Sequence, residues 1–134
     1  MTVEINNLTA APVKDNFLKK AAEKVLTKEK GKKLELSIAL VGQNRMKELN
    51  KKYRRKNRVT DVLSFMYDSS GEVVICLSEV KKNAKIFNSK FEKELTKTLI
   101  HGILHLMGYD HEKGEKQAKE TRRKEDYYLS RLNF

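Results

Sequence analysis

This chain is short of the residues that staple or break a fold: one cysteine, one proline, six glycines and no tryptophan among 134 residues. A single cysteine excludes an internal disulfide framework and fits a reducing compartment. Cys76 stands in the apolar run Val73-Val74-Ile75-Cys76-Leu77 and reads as a small buried hydrophobe rather than a nucleophile. No apolar stretch approaches the length needed to span a membrane. The opening Met1-Thr2-Val3-Glu4-Ile5-Asn6 lacks the charged and apolar regions of a secretion signal. A soluble cytoplasmic protein with no membrane partner is therefore expected. No glycine-rich phosphate loop is present, so nucleotide hydrolysis by that route has no support. At this length one domain over 1–134 is expected, with enough core to fold unaided, and a monomer suffices.

Negative charge is also in deficit. Against 29 Lys and Arg stand 18 Asp and Glu, a formal net charge of +11. That excess implies a polyanionic partner, whether nucleic acid, ribosome or anionic membrane surface, and nucleic acid fits best. A thermophile-type surface explains why 35% of residues are charged, but not the sign of the imbalance.

The apolar pattern is regular. Residues 2–6 alternate as a short strand. Pro12, Val13, Phe17, Leu18, Ala21, Val25 and Leu26 predict a helix with Pro12 in its first turn and Gly31 at its end. Leu34, Leu36, Ile38 and Leu40 alternate strictly, the mark of a half-buried strand. A short helix over 43–52 would bury Met46 and Leu49. Strands follow over 62–65 and, after the turn signal Ser69-Ser70-Gly71, over 72–77. The remainder reads as helices over 78–87, 92–107 and 113–132. The expected fold is α+β, a small mostly antiparallel or mixed sheet of three or four strands packed with about five helices.

All three histidines fall in the run His101-Gly102-Ile103-Leu104-His105-Leu106-Met107-Gly108-Tyr109-Asp110-His111. His101 and His105 stand four apart, so a helix stacks them on one face. Gly108 can take the left-handed conformation that ends a helix and let the chain turn back towards them with His111. Three converging imidazoles with a fourth position open form the ligand set of a catalytic zinc site. The site would lie on the penultimate helix and the turn after it, with one zinc per chain. The bland alternative is a solvated helix end with incidental histidines; the spacing together with the glycine favours the metal.

The run also resembles the helix-and-turn zinc motif of metzincin proteases. Gly102 stands where a protease places the glutamate that deprotonates zinc-bound water, which removes the general base of that chemistry. A second segment, Lys51-Lys52-Tyr53-Arg54-Arg55-Lys56-Asn57-Arg58, sets six cations around one aromatic ring. By itself such a run is more often a solvated loop. Beside a metal site in a basic protein, Lys51, Lys52, Arg55, Lys56 and Arg58 suit phosphate contacts, and Tyr53 offers a stacking surface for single-stranded nucleic acid.

Two blocks resemble the YbeY family, bacterial metal-dependent endoribonucleases of ribosomal RNA maturation and ribosome quality control. One is Leu49-Asn50-x-x-Tyr53-Arg54 leading into Thr60-Asp61-Val62-Leu63-Ser64-Phe65; the other is the histidine run itself. Weaker echoes are Gly71-Glu72-Val73-Val74-Ile75, Ala84, Glu125 and Leu129. The resemblance implies that His101, His105 and His111 bind zinc and that Arg54 helps hold or polarise the scissile phosphate. It implies action on ribosomal RNA, including the 3′ end of 16S rRNA, with the small subunit and ribosome-associated proteins as partners. Glu72, Met66 and Thr121 depart from the usual pattern, and none of these departures removes a proposed metal ligand.

Several roles stay open on sequence. Asp110 either accepts a hydrogen bond from an imidazole or caps its own turn. Thr60-Asp61 reads as more structural than catalytic. Ser64 either lines a cleft or lies on the sheet, and Gly102 suits close approach of the zinc helix to the sheet. The expected function is a zinc-dependent, single-strand-specific endoribonuclease. Its rivals are a non-catalytic zinc-containing RNA- or ribosome-binding module and a zinc hydrolase of another substrate.

Overall fold

The structure, a computed structural model, describes residues 2–31 and 33–134 except for the side chain of His111. Its elements run β1 (Thr2–Asn7), α1 (Asp15–Lys28), β2 (Glu35–Val41), α2 (Gln43–Arg54), β3 (Val62–Met66), β4 (Ser70–Cys76), α3 (Leu77–Ile86), α4 (Phe91–Leu106) and α5 (Glu115–Leu129). A short 3-10 turn, His111–Lys113, joins the last two helices. The four strands form one sheet in the order β1-β2-β4-β3. β1 and β4 both run parallel to β2, and β3 pairs antiparallel with β4. The sheet is therefore mixed, within an α+β fold.

Strand periodicity sorts the core into two faces. On one face Leu36, Ile38 and Leu40 of β2 lie beside Val73 and Ile75 of β4. They pack with Leu18, Val25 and Leu26 of α1 and with Leu99, Ile103 and Leu104 of α4. On the other face Val41, Leu63, Val74 and Cys76 form a smaller cluster around Met46 of α2. Both faces are covered, which is why β4 is a continuous apolar run. Cys76 is fully buried, as its apolar run suggests.

Three local expectations need correction. Pro12 precedes the helix instead of opening it: α1 starts at Asp15, with Lys14 as its N-cap residue and no side-chain cap. The preceding chain is held in its own turn, where Asn7 Oδ1 accepts from the amide and hydroxyl of Thr9, a local bond that competes with helix. Gly31 is not the left-handed residue after α1, since Lys30 takes that conformation at φ 64°. Gly31 serves close packing instead: a Cβ there would meet Leu26 Cδ2 at 3.0 Å and Met107 Sδ at 3.1 Å. Ser70 and Gly71 belong to β4, so the reversal falls earlier, closed by Tyr67 N–H donating to Ser70 O at 2.8 Å.

Among the described residues, no helix is long and apolar enough to cross a membrane.

Candidate active site

α4 carries the first two histidines across the sheet. Its first turn contains Glu92 and Glu94, acidic residues that favour a helix N-terminus. Its inner face is set by Leu95, Leu99, Ile100, Ile103 and Leu104, all buried. Gly102 lets the helix lie close to β3 and β4. A Cβ at that position would stand 2.7 Å from Val73 Cγ1, 3.1 Å from Val62 Cγ2 and 3.2 Å from Ser64 Oγ. Ser64 faces the same helix and donates to Gly102 O at 2.9 Å, while also lining the cleft. Val73 is β-branched and fully buried, so it has little room to yield. Gly102→Ala is thus expected to cost about 1–3 kcal/mol of stability through overpacking, measured by urea unfolding. The same crowding leaves no space for the protease glutamate.

α4 ends as its glycine suggests. Gly108 has φ +100°, and the amides of Gly108 and Tyr109 donate to the carbonyls of His105 and Leu104 at 3.1 and 3.0 Å. The chain then reverses through Asp110. Asp110 Oδ1 accepts from the Glu112 amide at 2.9 Å, the turn-capping role, and its own amide donates to Gln117 Oε1 at 3.1 Å. His111 starts the 3-10 turn, and its neighbours Asp110 and Glu112 both line the cleft that holds His101 and His105. Its imidazole lies outside the described residues, and among the described residues no three potential ligands converge on one point.

That cleft has a volume of about 760 Å³. His101 enters it half-buried, with Nδ1 hydrogen-bonded to Oε1 of Glu125 from α5. The Glu125 carboxylate is 7% exposed. This bond raises the His101 pKa against the opposing effect of burial, with a smaller push from the Asp61 charge. Holding Nδ1 on a carboxylate fixes the ring orientation, a support that metal-binding histidines commonly have. Two imidazoles one helical turn apart, one of them held by a buried carboxylate, are donors of the type that suits zinc.

Of the basic run, Tyr53 and Arg54 line the cleft. The Arg54 guanidinium lies 3.9 Å from Glu112 Oε1, and both side chains are largely exposed. Lys51, Lys52, Arg55, Lys56 and Arg58 are exposed around the end of α2 and do not line the cleft. The loop is folded back on the helix by Asn50, whose Nδ2 donates to Arg58 O at 2.9 Å. Thr60 and Asp61 line the cleft and also anchor it: Asp61 O accepts from the Cys76 amide at 2.9 Å, and its carboxylate faces Asn83 Nδ2 at 3.5 Å.

Glu125 was only an echo in the sequence, yet it holds an imidazole. A signal was present, since Thr121, Glu125 and Leu129 recur at four-residue spacing and all three are buried. A glutamate inside an inward helical stripe demands a polar partner.

The family model described as "Endoribonuclease YbeY" matches residues 4–133. An endoribonuclease YbeY of Thermotoga maritima is 42% identical over 118 residues, covering 86% of this chain and 78% of the relative. That of Petrotoga mobilis is 40% identical, covering 96% and 92%, and that of Aquifex aeolicus 38%, covering 90% and 85%. A solution structure of a Thermotoga maritima protein superposes with a TM-score of 0.68 at 38% identity, covering 96% of this chain and 87% of that one. With sequence and fold matched over nearly the whole length, this chain belongs to the YbeY family.

Proposed function

We propose that this protein is a zinc-dependent, single-strand-specific endoribonuclease of ribosomal RNA maturation, including the 16S rRNA 3′ end, and of ribosome quality control. The observation that carries the reading is one cleft that joins the carboxylate-held His101, His105 and Arg54. Membership of the YbeY family and the +11 charge support RNA as substrate, and the small ribosomal subunit and its associated proteins as partners in the cytoplasm.

His101, His105 and His111 would hold the zinc, with Glu125 orienting the first of them. Zinc held by these residues would supply Lewis acidity at the phosphate and water. The chain's own contribution is to bring in and orient the phosphodiester. The cations around the end of α2 raise the local concentration of RNA. Arg54 meets the scissile phosphate with paired N–H donors and stabilises charge on its oxygens as the bond breaks. A ring as flat as Tyr53 stacks a base that is not already paired, which selects single strands. Attack by the 2′-hydroxyl would leave a cyclic phosphate and attack by water would not, so analysis of product ends identifies the nucleophile.

Zinc-loaded protein is expected to cut single-stranded RNA but neither duplex RNA nor a peptide. Arg54→Ala should lower the rate about 10²–10³-fold with zinc content unchanged, and the exposed control Ser130→Ala should match wild type. Peptide cleavage, or RNA binding that does not weaken with salt, would contradict the proposal.

A further inference from the structure

Two aromatic rings open into the cleft from different helices. Tyr53, at the end of α2, is 55% exposed; Phe87, which caps α3, is 63% exposed. Each sits by a lysine. Lys52 Nζ lies 5.2 Å from the Tyr53 centroid, and Lys97 Nζ, from α4, lies 5.6 Å from that of Phe87. Phe87 contributes little to the core, because most of its ring remains in water. Its backbone is nonetheless firmly held. The Phe87 amide donates to Asn83 O at 2.9 Å, Asn88 takes the left-handed conformation at φ 51°, and the Ser89 amide donates to Ala84 O at 2.8 Å. These bonds close the end of α3 and hold the ring at the wall of the cleft containing His101.

An exposed phenyl ring beside an ammonium group, at the wall of a cleft that also holds Arg54, matches what an unpaired nucleobase and its phosphate require. We propose that Phe87 is a base-stacking residue: it binds one nucleobase of the single-stranded RNA, with Lys97 beside the adjoining phosphate, while Tyr53 takes a second base. This rests on the RNA-cleft reading above and adds a second stacking point to it. Duplex RNA keeps its bases stacked on each other, so it cannot use either ring. Every base has a π face, so the contact confers strand selectivity without a strong sequence preference.

The test is binding of a short fluorescent single-stranded RNA to the zinc-loaded full chain by anisotropy, at several salt concentrations, with RNA integrity checked after each titration. Phe87→Ala is expected to weaken binding roughly 5- to 150-fold, the range of base–aromatic stacking. The factor should be the same at every salt, because no cation is removed. Phe87→Leu should lose nearly as much, while Phe87→Tyr should bind like wild type. The exposed position allows these variants to fold, which their melting temperatures check. On an abasic RNA the wild type and Phe87→Ala should bind equally. Phe87→Ala within twofold of a wild type that binds RNA overturns the stacking role alone, leaving Ile86 and Phe87 as an apolar patch for a protein partner. A deficit that persists on abasic RNA overturns it too. A wild type that binds no RNA overturns the cleft reading along with it.

Discussion

His105→Ala is expected to reduce bound zinc from about one per chain to near zero and RNA cleavage by roughly 10³-fold or more, the several kcal/mol that a catalytic metal supplies to the transition state. His105 is exposed on the last turn of α4, at the cleft. The truncation removes a donor without opening a hole in the core, so melting of the metal-free protein should barely change. Elemental mass spectrometry beside the cleavage assay checks both. Glu125→Gln makes a graded companion. It keeps the size of the group on His101 Nδ1 but removes its charge, and should weaken zinc binding about 10- to 100-fold, read by competition with a chromogenic chelator. A His105→Ala protein that keeps its zinc would sink the proposed ligand set.

The second large effect concerns stability. The Glu29 side chain is 7% exposed at the end of α1. It accepts from the Tyr109 hydroxyl at 2.8 Å, from Lys124 Nζ at 3.1 Å and from the Tyr128 hydroxyl. One carboxylate thereby ties α1 to α5 and to the turn that leads into Asp110 and His111. Glu29→Ala would leave two phenols and an ammonium group without their acceptor. Lys124 is partly exposed, which softens its share. The expected loss is about 2–4 kcal/mol, a melting temperature lower by about 10 °C, measured by circular dichroism.

The same group gives a pH dependence. Burial alone would raise the Glu29 pKa, but the hydrogen bonds from Tyr128, Tyr109 and Lys124, with the Lys124 charge, together hold it below the ordinary value. A carboxylate depressed in the folded state stabilises it fully above its unfolded pKa, and that contribution is lost as pH falls through the folded value. Wild type should therefore lose stability on acidification below the usual glutamate range more steeply than Glu29→Gln. Parallel curves for the two proteins would exclude Glu29 as a source of the acid sensitivity.

What the sequence determined by itself was local. The spacing of His101 and His105 places them on one helical face, Gly108 supplies the positive φ at which α4 ends, and Leu34 to Leu40 alternate because one side of β2 is core. Each is encoded in neighbours a few residues apart, where helix and strand periods act directly on side-chain direction. The start of α1 failed even as local inference, because Pro12 suits a first turn but does not compel one, and the Asn7–Thr9 turn takes the chain elsewhere. Only tertiary structure decided the sheet order, which sets β4 between β2 and β3. It alone brought Glu125 to His101, 24 residues away, and Glu29 to Tyr109 and Tyr128, 80 and 99 residues away. It also joined Phe87 to the wall of the histidine cleft. No periodicity links such positions. They meet because burial of two sheet faces leaves the helices few ways to pack, and a buried carboxylate must find its donors wherever that packing puts them.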